Sequence, residues 1–227
     1  DRDGNGQHGN TTGPLAVSME RAPLPQLDDA KVRRDLLSLT DRNACLLLQA
    51  LRWRVTRSHE GTQRKAVLDD FAINDYLGVG QPPGGAVYSL VRSPSVDVRE
   101  YVTRLLDCLS TSAKGREYML RRELVTLLHD QMMAEEGDTM VRQNILCALQ
   151  KLSLRRKAST LLIVNGTIGW LHDILVNSRN DDLCDFSELY AMALLMNLCL
   201  RPAGCSYCEK ECPDVLVPLR QFLHAES

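Results

Sequence analysis

The sequence lacks an excess of either charge. Lys plus Arg number 27 against 29 for Asp plus Glu, a formal net charge of −2, so the strong positive field of a dedicated nucleic-acid binder is absent. It also lacks a long apolar run. The longest candidates, around 44–51 and 189–200, are interrupted by Gln49 and Asn197 and fall short of the roughly 20 residues a membrane-spanning helix needs. No nucleic-acid partner and no membrane insertion are therefore expected. The chain opens on Asp1 with no basic stretch followed by an apolar one, so no signal peptide reads there, and a piece of a longer protein is expected.

Catalytic and cofactor signatures are missing as well. GVGQPPGG (78–85) holds a Gly-x-Gly, but no strand pattern precedes it and no Gly-Lys-Ser/Thr follows, so no phosphate cradle is expected. Its Gly and Pro content reads instead as a flexible joint. His8, His59, His129, His172 and His224 are dispersed, with no nucleophile and orienting carboxylate beside any of them. The expectation is no enzyme and no cofactor. Cys205-x-x-Cys208-x-x-x-Cys212 is the one metal-like spacing; zinc prefers four ligands, and Cys184, Cys199 or His224 would have to supply the fourth without a second paired set. It is a weak metal candidate beside the plainer reading of free thiols. Cys45, Cys108, Cys147 and Cys199 sit within Leu-rich helical patterns, where a reduced cysteine acts as a small apolar residue. A reducing, intracellular compartment is expected, which leaves the Asn-x-Thr matches at Asn10 and Asn165 without meaning.

What is present is a helical period. Residues 1–27, rich in Gly, Asn, Asp, Thr and Pro, read as a disordered arm. From Asp28 onward apolar residues recur at helical spacing and almost nothing alternates with period two, so the class is all-α. A repeat is visible within it. The helices DVREYVTRLLDCLS (97–110), TMVRQNILCALQKLS (139–153) and LYAMALLMNLCL (189–200) carry the pairs Leu106/Leu109, Leu149/Leu152 and Leu195/Leu198, in steps of 43 and 46 residues. A Leu- or Val-rich segment precedes each, at 87–90, 124–127 and 168–171, and recurs at 216–219. A shorter third piece follows each, near 116–122, 158–164 and, more weakly, 207–211.

Three helices per 40 to 47 residues is the armadillo period, and stacked units of this kind bury their faces against one another. The expected architecture is a right-handed α-solenoid over 28–227, with about three full repeats and a partial one at each end. Segment 30–58 reads as the last long helix of a preceding unit, and Val215, Leu216, Leu219, Phe222 and Leu223 as an uncovered stripe on a final helix. Asp97, Asp138 and Asp185 read as charges at the starts of the long helices, and Trp53 and Trp170 as core residues between repeats.

With CLLLQALRWRVTRS (45–58), RQNILCALQKLSLRR (142–156) and ELYAMALLMNLCLRPAG (188–204) in view, the chain resembles the armadillo region of the armadillo-repeat-containing protein nine family, LisH-domain proteins of cilia. The resemblance runs from about 31 to 224. The loop at 78–85 and the terminal cysteines depart from the family's pattern and point to a distant member. The resemblance implies a non-enzymatic scaffold of the cytoplasm and cytoskeleton at the basal body, centriole and ciliary tip. It implies protein partners there, a TOG-domain microtubule regulator among them, in cilium assembly and signalling. A general cytoplasmic armadillo or HEAT-like adaptor for transport or nuclear import is the alternative, although the repeated Trp and Asn of import receptors are replaced here by Arg104, Cys147 and Ala193 and by Cys108, Lys151 and Asn197.

Within such an array the third helices line the groove. Arg99, Arg104, Arg142, Lys151, Arg155, Arg156 and Asn197 are the candidate partner-binding residues, with Lys157, Arg52, Arg54 and Arg57 nearby. A basic groove would take acidic segments or tubulin tails through salt-sensitive pairs. The plainer reading is a solvated face whose charges are cancelled by neighbouring carboxylates.

Overall fold

A computed structural model of the chain describes residues 24–38, 40–81, 84–121, 123–177, 183–217 and 220. Among them are twelve helices and no strand: α1 (Asp29–Ser38), α2 (Asp41–Thr56), α3 (Thr62–Asn74), α4 (Ala86–Val91), α5 (Val96–Ser110), α6 (Ala113–Met119), α7 (Leu124–Ala134), α8 (Met140–Leu152), α9 (Arg156–Val164), α10 (Thr167–Val176), α11 (Asp185–Cys199) and α12 (Pro202–Glu211). The expected single helix over 30–58 is two, α1 and α2, broken around Thr40, whose extended backbone starts the second helix.

The helices sort into a ladder. α2, α5, α8 and α11 pack side by side in that order, and these contacts are the most extensive among the described helices. α3 packs on α6 and α9 on α12, while α4 packs on α1 and α7. Each repeat therefore contributes a first, second and third helix: α3–α5, α6–α8 and α9–α11, with α1–α2 before and α12 after. This is an α-solenoid of armadillo repeats.

The leucines that set the period are the reason for the stacking. On α5, Val98, Val102, Leu105, Leu106 and Leu109 are buried; on α8, Val141, Ile145, Ala148, Leu149 and Leu152; on α11, Ala191, Met192, Leu194, Leu195 and Leu198. Each set spans one helical stripe. Burying one such aliphatic side chain contributes about 1.5–3 kcal/mol. Six residues past each last leucine the chain doubles back so tightly that a Cβ on Gly115 would lie 1.9 Å from the Leu109 carbonyl oxygen, and one on Gly204 would lie 2.0 Å from that of Leu198. Fully buried Ala158 takes the equivalent place in the middle repeat.

The expected flexible joint at 78–85 is instead packed where it is described. Asp75, at φ 45°, ends α3 in the left-handed conformation. Its carboxylate accepts hydrogen bonds from the Val79 and Gly80 amides at 2.8 and 3.0 Å and from the Tyr118 hydroxyl at 2.8 Å. Leu77 and Val79 are fully buried, and Gly78 and Gly85 approach so closely that a Cβ on Gly85 would overlap the Gly78 carbonyl. The glycines serve close backbone contact here.

Residues 1–23 of the expected arm lie outside the described residues, while Leu24 and Leu27 at its end pack against the core. Of the expected final stripe, Val215 is buried and Leu216 exposed, and Leu219, Phe222 and Leu223 lie outside the described residues. Trp170 packs half-buried against the core, but Trp53 is 42% exposed. The buried stripe of α2 runs through Ala44, Leu48, Leu51 and Val55, which turns Trp53 outward beneath the Arg57 guanidinium, 4.3 Å from its ring centre.

Candidate protein-interaction face

The third-helix ladder is tied together by polar bonds as well as by leucines. Lys151 of α8 donates to Asp107 of α5 at 2.7 Å. Asn144 of α8 donates to the Thr103 hydroxyl at 3.3 Å. One rung further, Asn197 of α11 donates to the Ser153 hydroxyl at 2.9 Å and the Gln150 carbonyl at 3.3 Å. Burial opposes the Lys151 charge, but its bond to Asp107 and that carboxylate's field outweigh it, so its pKa lies above the ordinary lysine value. Burial likewise pushes the Cys147 thiol up. These side chains are spent on neighbouring rungs.

Arg99 and Arg142 are committed elsewhere. Arg99 pairs with Glu135 at 3.0 Å and donates to the Ser93 carbonyl at 2.8 Å. Glu135 is buried and also accepts from Gln131 and Thr139, while Arg142 donates to the Glu135 backbone carbonyl and lies over the Trp170 ring. Together they knot the starts of α5 and α8 to the end of α7. Arg155 and Arg156 are exposed at the entry to α9. The candidate groove residues therefore fall in separate places: Lys151 and the neutral Asn197 bond within the ladder, Arg99 and Arg142 at its helix starts, and Arg155 and Arg156 lie at a turn.

Arg104 has different company. It pairs with Glu100 along α5 at 2.7 Å and lines a notch of about 490 Å³ between α2 and α5, with Arg52, Arg64, Cys108, Thr111 and Asn144. Arg64 reaches in from α3, held by the Ser58 carbonyl and Glu60. Three guanidiniums meet there: Arg104 and Arg64 each have a carboxylate partner along the chain, and Asp107 in the lining serves Lys151. Arg64 is missed by sequence reading because it comes from a first helix; only its distance from α5 in space, invisible in the repeat pattern, brings it in.

The same register changes character along the ladder. On α5 the positions Asp97, Glu100, Arg104, Asp107 and Thr111 are polar. The equivalent positions of α8 are Met140, Gln143, Cys147, Gln150 and Leu154, and those of α11 are Phe186, Leu189, Ala193, Met196 and Leu200. Four of the five on α11 are exposed large apolar residues.

The Cys205, Cys208 and Cys212 candidate site does not form: among the described residues no group of three or more His, Cys, Asp or Glu side chains is placed to hold a metal. The helical turn of α12 sends Cys208 inward to face Cys199, sulfur to sulfur at 3.5 Å, while exposed Cys205 donates to the Cys199 carbonyl. Burial and the neighbouring Cys208 thiol push the Cys199 pKa up to about 12. Asp138 stands just before α8, as expected, but its carboxylate serves another helix. It precedes the true cap of α8, Thr139, and caps α11 instead, accepting from the Cys184 amide at 3.0 Å and the Ser187 hydroxyl at 2.6 Å. Burial opposes its charge, yet these bonds hold its pKa below the ordinary aspartate value.

No single described helix is long and apolar enough to cross a membrane. Stacked three-helix units with a shared third-helix face define an armadillo-repeat protein. A family model described as "LisH domain-containing protein ARMC9, ARM repeats" matches residues 162–227. The chain is 41% identical over 213 residues to LisH domain-containing protein ARMC9 of Bos taurus, covering 93% of this chain and 32% of that protein. It is 40% identical over 213 residues to that of Homo sapiens, covering 93% and 26%, and 42% over 205 residues to that of Mus musculus, covering 90% and 25%. The likeness to the ARMC9 family thus extends along nine-tenths of the chain, and the chain spans a quarter to a third of the length of these relatives. No solved structure matches it.

Proposed function

We propose that this chain is a non-enzymatic protein-interaction scaffold, acting in cilium assembly and signalling at the basal body, centriole and ciliary tip. The observation that carries the scaffold reading is the unbroken ladder α2–α5–α8–α11. Apolar stacking joins the four helices and polar bonds add links from α5 to α8 and from α8 to α11, giving a continuous face suited to an extended partner. The ciliary setting is what likeness to LisH domain-containing protein ARMC9 suggests, and a TOG-domain microtubule regulator and other ciliary-tip proteins are the proposed partners.

Proximity labelling from this chain in ciliated cells tests the reading. The expected outcome is enrichment at the ciliary base or tip, with a TOG-domain protein among those labelled. A diffuse cytoplasmic signal with no ciliary protein enriched would overturn the ciliary assignment.

A further inference from the structure

Two features of the ladder face solvent with more charge or apolar surface than their own contacts use. One is the notch where Arg52, Arg64 and Arg104 converge from three helices: Glu60 pairs with Arg64, Glu100 with Arg104 and Asp107 with Lys151, while Arg52 donates to Gln49 and joins no ion pair among the described residues. The other is the apolar stripe Phe186, Leu189, Met196 and Leu200 on α11, between 43% and 77% exposed. The ends of the stripe are not simply a surface awaiting a further rung. Their register partners on α8, Met140 and Leu154, remain 42% and 54% exposed although α11 packs beside α8, whereas Gln143 and Gln150, the partners of Leu189 and Met196, are half-buried. Phe186 and Leu200 occupy positions that a neighbouring rung leaves open. An apolar stripe held in solvent at such positions marks a contact surface.

We infer that this face takes an extended protein segment with acidic side chains at one end, seated in the arginine notch, and apolar side chains at the other, seated on α11. Charge complementarity sets the first end. Guanidiniums in a partly enclosed notch bind carboxylates through paired N–H donors. Neighbouring third helices pack about 8–10 Å apart, which puts the notch roughly 20–25 Å from α11. An extended chain covers about 3.3 Å per residue, so the acidic and apolar anchors should lie about six to eight residues apart. The polar middle of the face, Gln143 and Gln150 on α8, suits the intervening backbone.

The inference rests on the scaffold reading and deepens it. Its test is fluorescence anisotropy of the whole chain with synthetic peptides that carry a glutamate cluster and a Leu/Phe pair separated by about seven neutral residues, made in both chain directions. An all-acidic peptide of equal length is the control. One direction should bind, and replacing its glutamates by glutamines should weaken it roughly tenfold or more. Arg52→Glu with Arg104→Glu, and separately Phe186→Ser with Leu200→Ser, should weaken it to a similar extent. The glutamine peptide keeps the test valid if a protein variant unfolds. Equal binding of the all-acidic control, binding indifferent to the glutamines, or binding unchanged in both well-folded variants would overturn the proposal. Ciliary proximity labelling that succeeds while the peptides fail would reject this site and leave the scaffold reading in place.

Discussion

α5 and α11 share a stacking stripe and differ on the face beside it. Both bury leucines at equivalent positions, Leu106 and Leu109 on one and Leu195 and Leu198 on the other. At five equivalent outward positions, however, α5 carries Asp97, Glu100, Arg104, Asp107 and Thr111, and α11 carries Phe186, Leu189, Ala193, Met196 and Leu200. The repeat specifies the core and leaves the outer register free, so a single architecture presents a charged surface at one end and an apolar one at the other.

That separation is tested first where the two helices should agree. Leu106→Ala and Leu195→Ala each leave a cavity at a fully buried site and should each destabilise by about 3 kcal/mol, read as a shift of the urea midpoint. A loss confined to Leu106 would show that the rungs are not equivalent. A comparable loss of about 3 kcal/mol is expected for Glu135→Ala, which strands Arg99 in a largely buried pair and removes the acceptor of Gln131 and Thr139. Its unfolding should be unaffected by moderate salt, in contrast to an exposed pair. Gly115→Ala should cost about 2 kcal/mol, since the added methyl meets the Leu109 carbonyl.

Asp138→Asn sharpens the comparison at the start of α11. The folded state holds this carboxyl below its ordinary pKa, so its contribution is complete above the unfolded value and disappears as pH falls through the folded one. The variant should lose about 1 kcal/mol near pH 7. The difference in melting temperature from the parent should shrink as pH drops below about 4. The smallest effect is expected for transplanting the α5 register onto α11: Leu189→Glu with Met196→Asp should change stability by less than about 0.5 kcal/mol. Binding of an apolar dye should nonetheless fall, because both side chains are about half exposed.

Much of the fold was legible in the sequence for a definite reason. Leu106/Leu109 and their counterparts are spaced by the helix and repeated by the array, so one pattern declares both element and architecture. Boundaries were less legible where a break depends on backbone geometry, as at Thr40 between α1 and α2. The loop at 78–85 misled because Gly reads as mobility, whereas Gly78 is held at φ 65° and packs closely on Gly85 beside buried Leu77 and Val79. The site was only partly readable. Arg104 could be named from its helix, but whether a cation is free depends on partners about 40 residues away: Asp107 claims Lys151 and Glu135 claims Arg99. The notch also depends on Arg64, which no third-helix pattern contains.

The Asp138 cap gives the array a direction. The first turn of α11 is completed by a side chain from the loop before α8, so the last helix of the third repeat borrows part of its start from the second repeat. The second takes nothing comparable back through this contact. In a linear array whose stability is a sum over neighbours, such a borrowed end makes the coupling lopsided. Opening of the α7–α8 loop should release the Cys184 amide to exchange, while fraying at α11 leaves the Thr139 cap of α8 in place. Partial unfolding of the stack would then have a preferred order, set by one aspartate.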